Sequence, residues 1–262
     1  MPKTILITGS TDGIGLLTAK KLASEGHTVL LHGRSREKLA AAAEQVGGTT
    51  ESYVADLSRM SDVKALADEV LRNHDTLDVL INNAGVLKAP NAKTEHGHDI
   101  RFAVNTFAPY LLTRLLLPII PKDGRIVNLS SAAQAPVDLH AMAGRTSLDH
   151  MSAYAQSKLA ITIWTRALAD ELVDGPLAVA VNPGSLLASK MVKEGFGVAG
   201  KDMSIGADIL HKASLDPSFA NASGKYFDND AGRFGPPHPA ALDEDHADSV
   251  MQAIKEFELK FG

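Results

Sequence analysis

Near its start the chain passes from an apolar, strand-like run through a glycine-rich loop into an amphipathic helix. The run covers residues 3–8, and the loop that follows has glycines at positions 9, 13 and 15. In this context the glycines permit a tight turn, close approach of the backbone to a pyrophosphate, and close packing of the helix. The helix N-terminus supplies N–H groups and partial positive charge for an anion. The residues predicted to bind a nucleotide here are Gly9, Ser10, Thr11, Asp12, Gly13, Ile14 and Gly15.

The alternation of strand-like and helical segments continues along the chain. The seven strand-like segments are residues 3–8, 27–32, 49–55, 77–82, 124–129, 177–182 and 224–227, the last read as an edge strand. Helical stretches separate most of them, notably 59–74, 94–117 and 203–214, and such alternation indicates βαβ units. Residues 134–151 read as irregular, 186–201 as glycine-rich and mobile, 233–239 as a proline-rich turn and 242–261 as a closing helix.

These segments predict an α/β protein with one domain over residues 1–262. The expected architecture is a Rossmann-type doubly wound sandwich, with a central seven-stranded parallel sheet flanked by helices. Ligands of such sheets bind at the carboxyl ends of the strands. The polar motifs of this chain follow the strand-like segments, so we expect them to meet at that edge.

Composition excludes several kinds of function. The formal net charge of −5 argues against a nucleic-acid partner. The absence of cysteine excludes disulfides, thiolate metal sites and a cysteine nucleophile. The histidines show no spacing typical of a zinc site, so no metal is predicted. The longest apolar run, residues 110–120, is interrupted by Arg114 and Pro118 and is too short to span a bilayer. Because no signal segment is seen, we expect a cytoplasmic protein without a membrane span.

The second strand-like segment ends near Arg34, which Ser35 and Arg36 follow. In dinucleotide-binding folds an acidic residue at this place binds a free 2′-hydroxyl, whereas an arginine accommodates a 2′-phosphate. Arg34 and Ser35 are therefore predicted to bind the cofactor, and NADP(H) is favoured. NAD(H) remains possible, since the carboxylate of Asp12 would repel a nearby phosphate and the basic segment could be a solvated turn.

Tyr154 and Lys158 lie four residues apart in a segment whose apolar residues recur at helical spacing. Side chains four apart share one face of a helix. An ammonium beside a phenol favours the ionised phenol, which suits a group that exchanges protons near neutral pH. Such a pair also occurs on solvated helix faces, so it gains meaning only together with the other motifs.

Two further motifs follow strand-like segments: Asn82-Asn83-Ala84-Gly85, and Ser131 after the fifth segment. Together with the glycine loop, Tyr154 and Lys158, they make the chain resemble the short-chain dehydrogenase/reductase family. The resemblance covers residues 3–184 and is weaker beyond them. It implies hydride transfer between a nicotinamide cofactor and a carbonyl or alcohol.

The resemblance also implies roles for individual residues. Tyr154 would be the general acid/base, and Ser131, preferred over Ser130, would hydrogen-bond the substrate oxygen. Lys158 would bind the nicotinamide ribose and lower the Tyr154 pKa, while Asn105 would hold a water that links Lys158 to solvent. The other residues implied to contact the cofactor are Asp56 and Leu57 at the adenine, Asn83, Ala84 and Gly85 at the adenosine side, and Pro183, Gly184, Leu186 and Leu187 at the nicotinamide.

Two features depart from the family pattern. The 22 residues between Ser131 and Tyr154 exceed the commonest spacing, so the intervening loop must fold away for the two side chains to meet. The family's threonine after Pro-Gly falls near Ala188, which leaves Ser189 as a substitute. The long loop and the segment Ser223-Gly224-Lys225-Tyr226-Phe227 are similar to the retinol-dehydrogenase-like branch, which favours NADP and lipophilic carbonyls.

The function expected from these residues is that of an NADP(H)-dependent oxidoreductase acting on CH–OH groups. An NAD(H)-dependent alcohol dehydrogenase of the same family is the first alternative. The second is a redox sensor that binds NADP without chemistry; such proteins tend to lose the tyrosine or the lysine, and both are present here. The expected partners are a small carbonyl or alcohol substrate and, as a possibility, further copies of the chain in a dimer or tetramer.

Overall fold

A computed structural model describes residues 1–188 and 200–261 of the chain. Its centre is an eight-stranded sheet in the order β3-β2-β1-β4-β5-β6-β7-β8. The strands are β1 Thr4–Ile7, β2 Thr28–Gly33, β3 Thr49–Val54, β4 Val79–Asn82, β5 Arg125–Leu129, β6 Leu177–Asn182, β7 Tyr226–Asp228 and β8 Arg233–Gly235. Strands β1 to β7 are mutually parallel, and β8 pairs antiparallel with β7.

Helices cover both faces of the sheet, which explains why the central strands are apolar throughout. They are α1 Gly13–Ser24, α2 Arg36–Val46, α3 Met60–Asn73, α4 Ile100–Phe102, α5 Ala108–Leu116, α6 Leu139–Met142, α7 His150–Glu171, α8 Ser204–Leu215 and α9 Glu244–Phe261. One core lies under α1, α2 and α8, and the other under α3, α5, α7 and α9. In β1, Ile5 and Ile7 enter the first core while Leu6 enters the second, because successive side chains point to opposite faces.

The strand order reverses beside β1, which has β2 on one side and β4 on the other. This is the topological switch point where open α/β sheets leave a crevice for ligands. The loop from β1 to α1 lies there, and the segments that follow β4, β5 and β6 meet at the same edge of the sheet. The predicted fold class is confirmed, with one strand more than expected.

The C-terminal part of the sheet differs from the sequence-based prediction. The segment 224–227 was expected to form the edge strand, but β7 has β8 on its outer side. Strand β8 lies within residues 233–239, for which the prolines predict a turn. Three residues are too few to show a strand period, and the antiparallel partner of β7 becomes visible only through its pairing, as in Tyr226 opposite Gly235.

The helix predicted over residues 94–117 begins later and is not uniform. It starts at Ile100, where the Asp99 carboxylate caps α4, and continues as a π-helical turn, Ala103–Phe107, into α5. Residues 94–99 form a turn closed by the hydrogen bond from Thr94 N to the carbonyl of His98 (2.8 Å). The loop predicted as irregular over residues 134–151 contains the short helix α6.

Among the residues that the structure describes, one helical segment, Ile100–Ile119, is long and apolar enough to cross a membrane. Of its most apolar window, 72% is buried inside the fold. The core helix of a protein that never enters a bilayer passes the same test of length and composition. The expectation of no membrane span therefore stays a prediction.

Candidate active site

The loop between β1 and α1 has the backbone geometry that the glycine pattern predicts. Gly9 and Gly13 have positive φ angles of 67° and 57°, which favour glycine. A Cβ atom on Gly15 would lie 2.4 Å from the carbonyl oxygen of Gly9, so the helix starts in direct contact with the loop. Asp12 caps α1 by accepting the Gly13 N–H (2.7 Å). The cradle fits a phosphate group at the helix N-terminus and has no room for larger residues at position 15.

The segment after β4 fixes this loop from one side. The Asn83 side-chain amide donates to the carbonyls of Thr8 (2.8 Å) and Gly9 (3.0 Å). In return, the Thr8 hydroxyl accepts the N–H groups of Asn83 and Ala84, each at 3.0 Å. The side chain of Asn83 is therefore engaged in holding the glycine loop, and its predicted place at the adenosine side stays a prediction.

His32, a residue that the sequence did not single out, fixes the same loop from the other side. Its Nδ1 accepts the Gly9 N–H (3.0 Å), and its Nε2 donates to the carbonyl of Ala55 (3.2 Å). The Ser10 hydroxyl accepts the His32 N–H (2.9 Å). Burial lowers the pKa of His32 to about 4, so the ring is neutral at physiological pH, with its proton on Nε2. A histidine in an apolar strand gives no local signal of such a role.

The cleft beyond the carboxyl end of β2, where the adenosine side was predicted, is lined by charged residues. Arg34 is exposed and shares a cleft of about 310 Å³ with Asp56 and Arg59. The Asp56 carboxylate accepts the N–H (3.0 Å) and the hydroxyl (2.8 Å) of Ser58. The other two predicted residues have structural tasks, since the Ser35 hydroxyl caps α2 and the Leu57 side chain lies in the core. Only the backbone of Leu57 can contact a ligand.

Tyr154 and Lys158 lie on α7, one turn apart, as predicted. The Lys158 Nζ is 5.8 Å from the centre of the Tyr154 ring and donates to the carbonyl of Leu129 at the end of β5 (2.6 Å). The Ser131 hydroxyl, two residues further along, lies near enough to the Tyr154 phenol to lower its pKa. The structure thus brings together the three side chains that were expected to meet, although 22 residues separate Ser131 from Tyr154.

Burial governs the proton affinities of this cluster. Desolvation raises the Tyr154 pKa above its ordinary value of 10.0, and the neighbouring Ser131 hydroxyl lowers it in part. Desolvation also lowers the Lys158 pKa from 10.5 to about 8. Burial therefore sets the direction of the Tyr154 pKa in the protein alone. The lowering of this pKa by Lys158 stays a prediction.

Asn105 lies inside the π-helical turn and is fully buried. Its side-chain oxygen accepts the Val86 N–H (2.8 Å), and its amide donates to the Val86 carbonyl and to the Ser157 hydroxyl, both at 3.0 Å. Asn105 therefore ties the segment after Gly85 to the helix that carries Tyr154. Since protein groups engage the whole amide, the water-holding role stays a prediction. Single π turns inside α-helices are frequent at functional sites.

The segment after β6, predicted to meet the nicotinamide, is held by a residue that the sequence did not indicate. Asp230 accepts the Ser185 N–H at 2.9 Å and its hydroxyl at 2.5 Å. Leu186 has a positive φ of 55° and is 43% exposed, whereas Leu187 is buried. The carbonyl of Pro183 accepts from Asn229 (2.9 Å), and the Gly184 N–H donates to Asn182 (3.2 Å). Ser189, the proposed substitute for the family's threonine, lies outside the described residues.

Comparison with known proteins agrees with this geometry. A family model described as short chain dehydrogenase matches residues 3–196. Retinol dehydrogenase 13 of Homo sapiens is 32% identical over 270 residues, which cover 94% of this chain and 81% of that protein. The match places the chain beside oxidoreductases acting on CH–OH groups.

Solved structures give the same picture. The crystal structure of an uncharacterised protein from Mycobacterium paratuberculosis has a TM-score of 0.80 and 30% identity, covering 98% of this chain and 94% of that one. A metagenomic short-chain oxidoreductase in complex with NADP has a TM-score of 0.64 and 33% identity, covering 83% and 93%. Complexes with NADP and with NADH both occur among the similar structures. With its glycine loop, its Tyr154–Lys158–Ser131 cluster and these relatives, the chain belongs to the short-chain dehydrogenase/reductase family, as an oxidoreductase of its retinol-dehydrogenase-like branch.

Proposed function

We propose that the protein is an NADP(H)-dependent oxidoreductase that interconverts a carbonyl and an alcohol, with Tyr154 as the general acid/base. The observation that carries this proposal is the cluster of the Ser131 hydroxyl and the Tyr154 phenol, whose pKa Ser131 lowers, with the buried Lys158 one helical turn away. A proton donor, a second hydroxyl and a cation thus converge at the carboxyl ends of the central strands, where such sheets bind ligands.

In the reductive direction the Tyr154 phenol gives its proton to the carbonyl oxygen of the substrate. The Ser131 hydroxyl donates to the same oxygen and fixes the orientation of the carbonyl. The buried ammonium of Lys158 stabilises the phenolate that results, since an opposite charge nearby favours the charged form. The nicotinamide, when bound, supplies the hydride in this direction and accepts it in the other.

The residues that would hold the cofactor fit its parts. The cradle formed by Gly9, Gly13 and Gly15 suits the pyrophosphate, because a Cβ atom at position 15 would fill it. Arg34, exposed in the cleft that also holds Asp56 and Arg59, suits a 2′-phosphate. This cationic setting supports NADP(H) over NAD(H). We also infer a small-molecule substrate, a cytoplasmic location and no membrane span, with a dimer or tetramer as a possibility.

Replacement of Tyr154 by Phe tests the proposal. Tyr154→Phe removes the exchangeable proton and keeps the ring, so turnover of a panel of aldehydes, ketones and alcohols should fall by about a hundredfold or more. Binding of NADPH, followed by its fluorescence, should change little. Tyr110→Phe is the matched control, because the Tyr110 hydroxyl contacts Glu258 away from the cluster (3.2 Å). Full activity of Tyr154→Phe would contradict the assignment.

A further inference from the structure

The backbone carbonyl of Ser131 accepts two side-chain hydrogen bonds. The Tyr226 hydroxyl donates to it at 3.0 Å, and the Gln134 amide donates at 2.8 Å. Tyr226 lies in β7, 95 residues further along the chain, whereas Gln134 belongs to the long loop before α7. Two donors from different elements therefore fix the peptide that carries Ser131.

The hydroxyl of Ser131 is oriented by a third contact. Its oxygen accepts the N–H of Ala133 (3.1 Å). A hydroxyl that accepts one hydrogen bond keeps its own proton to donate. Because the Ser131 hydroxyl also lies beside the Tyr154 phenol, this proton is available to a substrate oxygen bound next to that phenol. The direction depends on the Ser131 backbone, and so on the two donors to its carbonyl.

Both donors are themselves held rigidly. Tyr226 is only 6% exposed and belongs to a strand with partners on both sides, opposite Ala180 of β6 and Gly235 of β8. Burial raises the Tyr226 pKa well above its ordinary value, so its hydroxyl keeps its proton. The Gln134 oxygen accepts the His238 N–H (3.1 Å), which fixes the direction of the amide.

We propose that Tyr226 and Gln134 are positioning residues, which orient the Ser131 hydroxyl toward Tyr154 and the substrate oxygen by holding the Ser131 carbonyl. This inference rests on the proposed function, because it assumes that Ser131 acts on the substrate. The Gly224-Lys225-Tyr226-Phe227 segment would then contribute to catalysis through the Ser131 carbonyl, although none of its residues belongs to the catalytic cluster.

The test is a double-mutant cycle with Tyr226→Phe and Ser131→Ala. Tyr226→Phe should lower kcat about three- to tenfold, the effect of one intramolecular hydrogen bond, while KM for the cofactor and its binding in fluorescence titrations stay unchanged. If Tyr226 acts through Ser131, adding Tyr226→Phe to Ser131→Ala should lower kcat no further, because residues that share one interaction are not additive. Tyr110→Phe removes another buried phenol hydroxyl and should leave kcat unchanged.

The outcomes separate the inference from the function beneath it. If Ser131→Ala is impaired but Tyr226→Phe has the wild-type kcat, or if the two losses multiply in the double variant, the positioning role is overturned. If Ser131→Ala itself is fully active, the proposed role of Ser131 fails, and the role of Tyr226 fails with it. Should Tyr226→Phe not fold, Gln134→Met removes the second donor and is held to the same criteria.

Discussion

The Lys158 ammonium donates to the carbonyl of Leu129 at 2.6 Å, although the phenol of Tyr154 lies one helical turn away. Lys158 is only 4% exposed, so its amine pays a desolvation cost when it is charged. The carbonyl at the end of β5 is the hydrogen-bond partner that compensates part of this cost. The consequence can be measured as a dependence of stability on pH.

Lys158→Met should change how stability responds to alkaline pH. The folded pKa of about 8 lies below the ordinary 10.5, so the unfolded chain binds more protons between these values. Relative to the variant, the wild type should gain stability as the pH rises from about 8 toward 10.5, by about 3 kcal/mol at most. Denaturant unfolding followed by the fluorescence of Trp164, the only tryptophan, measures this difference. If the unfolding free energies of the wild type and of Lys158→Met changed with pH in parallel, this prediction would be contradicted. Lys38→Met, at an exposed lysine, is the control.

His32→Leu should change the response to acid. The folded His32 has a pKa of about 4 against an ordinary 6.5, so protonation favours the unfolded chain as the pH falls through this window. The wild type should lose about 3 kcal/mol at most relative to the variant between pH 6.5 and 4. The same unfolding assay applies, with the exposed His140→Gln as control. At neutral pH the variant should bind the cofactor more weakly, since the Gly9 N–H loses its acceptor.

Arg34→Asp should lower the affinity for NADPH relative to that for NADH. A charge-assisted hydrogen bond to a 2′-phosphate contributes about 1.5–3 kcal/mol, so the ratio of NADPH to NADH affinity should fall by about tenfold or more. Titration of both cofactors against the protein measures the ratio. Arg36→Asp makes the same charge change at the start of α2 and should alter the ratio less. An unchanged ratio in Arg34→Asp would remove this residue from cofactor selection.

Gly15→Ala should destabilise the start of α1. The new methyl group would lie 2.4 Å from the Gly9 carbonyl oxygen and 2.6 Å from the Asn83 amide nitrogen, so the loop must shift. Overpacking of this kind costs about 1–3 kcal/mol, and cofactor affinity should fall with it. Gly235→Ala is the control, because a Cβ atom there meets nothing within 4 Å. Equal stability of the two variants in denaturant unfolding would count against the steric argument.

The fold and the centre of the candidate site could be predicted from local patterns in the sequence. The glycine loop was predictable because its backbone angles and packing each demand a particular residue type. The shared face of Tyr154 and Lys158 follows from the period of the helix alone. The meeting of Ser131 with that face came from the family resemblance, and the structure supports it.

What the sequence missed depends on contacts between distant residues. His32 lies in an apolar run, where no neighbouring residue in the sequence indicates that its ring accepts the Gly9 N–H from the end of the adjacent strand. The π-helical turn at Asn105 covers five residues, too few for their sequence to show a period different from that of an α-helix. Asp230 reaches Ser185 from 45 residues away. The spacing of residues along the sequence does not predict contacts such as His32–Gly9 or Asp230–Ser185.

The contact from Tyr226 to Ser131 has a practical consequence for dividing the chain. The family match ends at residue 196, and every recognisable catalytic motif lies before that point. A fragment ending at residue 196 would keep Tyr154, Lys158 and Ser131. It would lose Tyr226 of β7, whose hydroxyl donates to the Ser131 carbonyl. It would also lose α8, whose side chains form part of the core under β1 and β6. The part of the chain needed for an active, folded enzyme therefore extends beyond the residues that the family model matches.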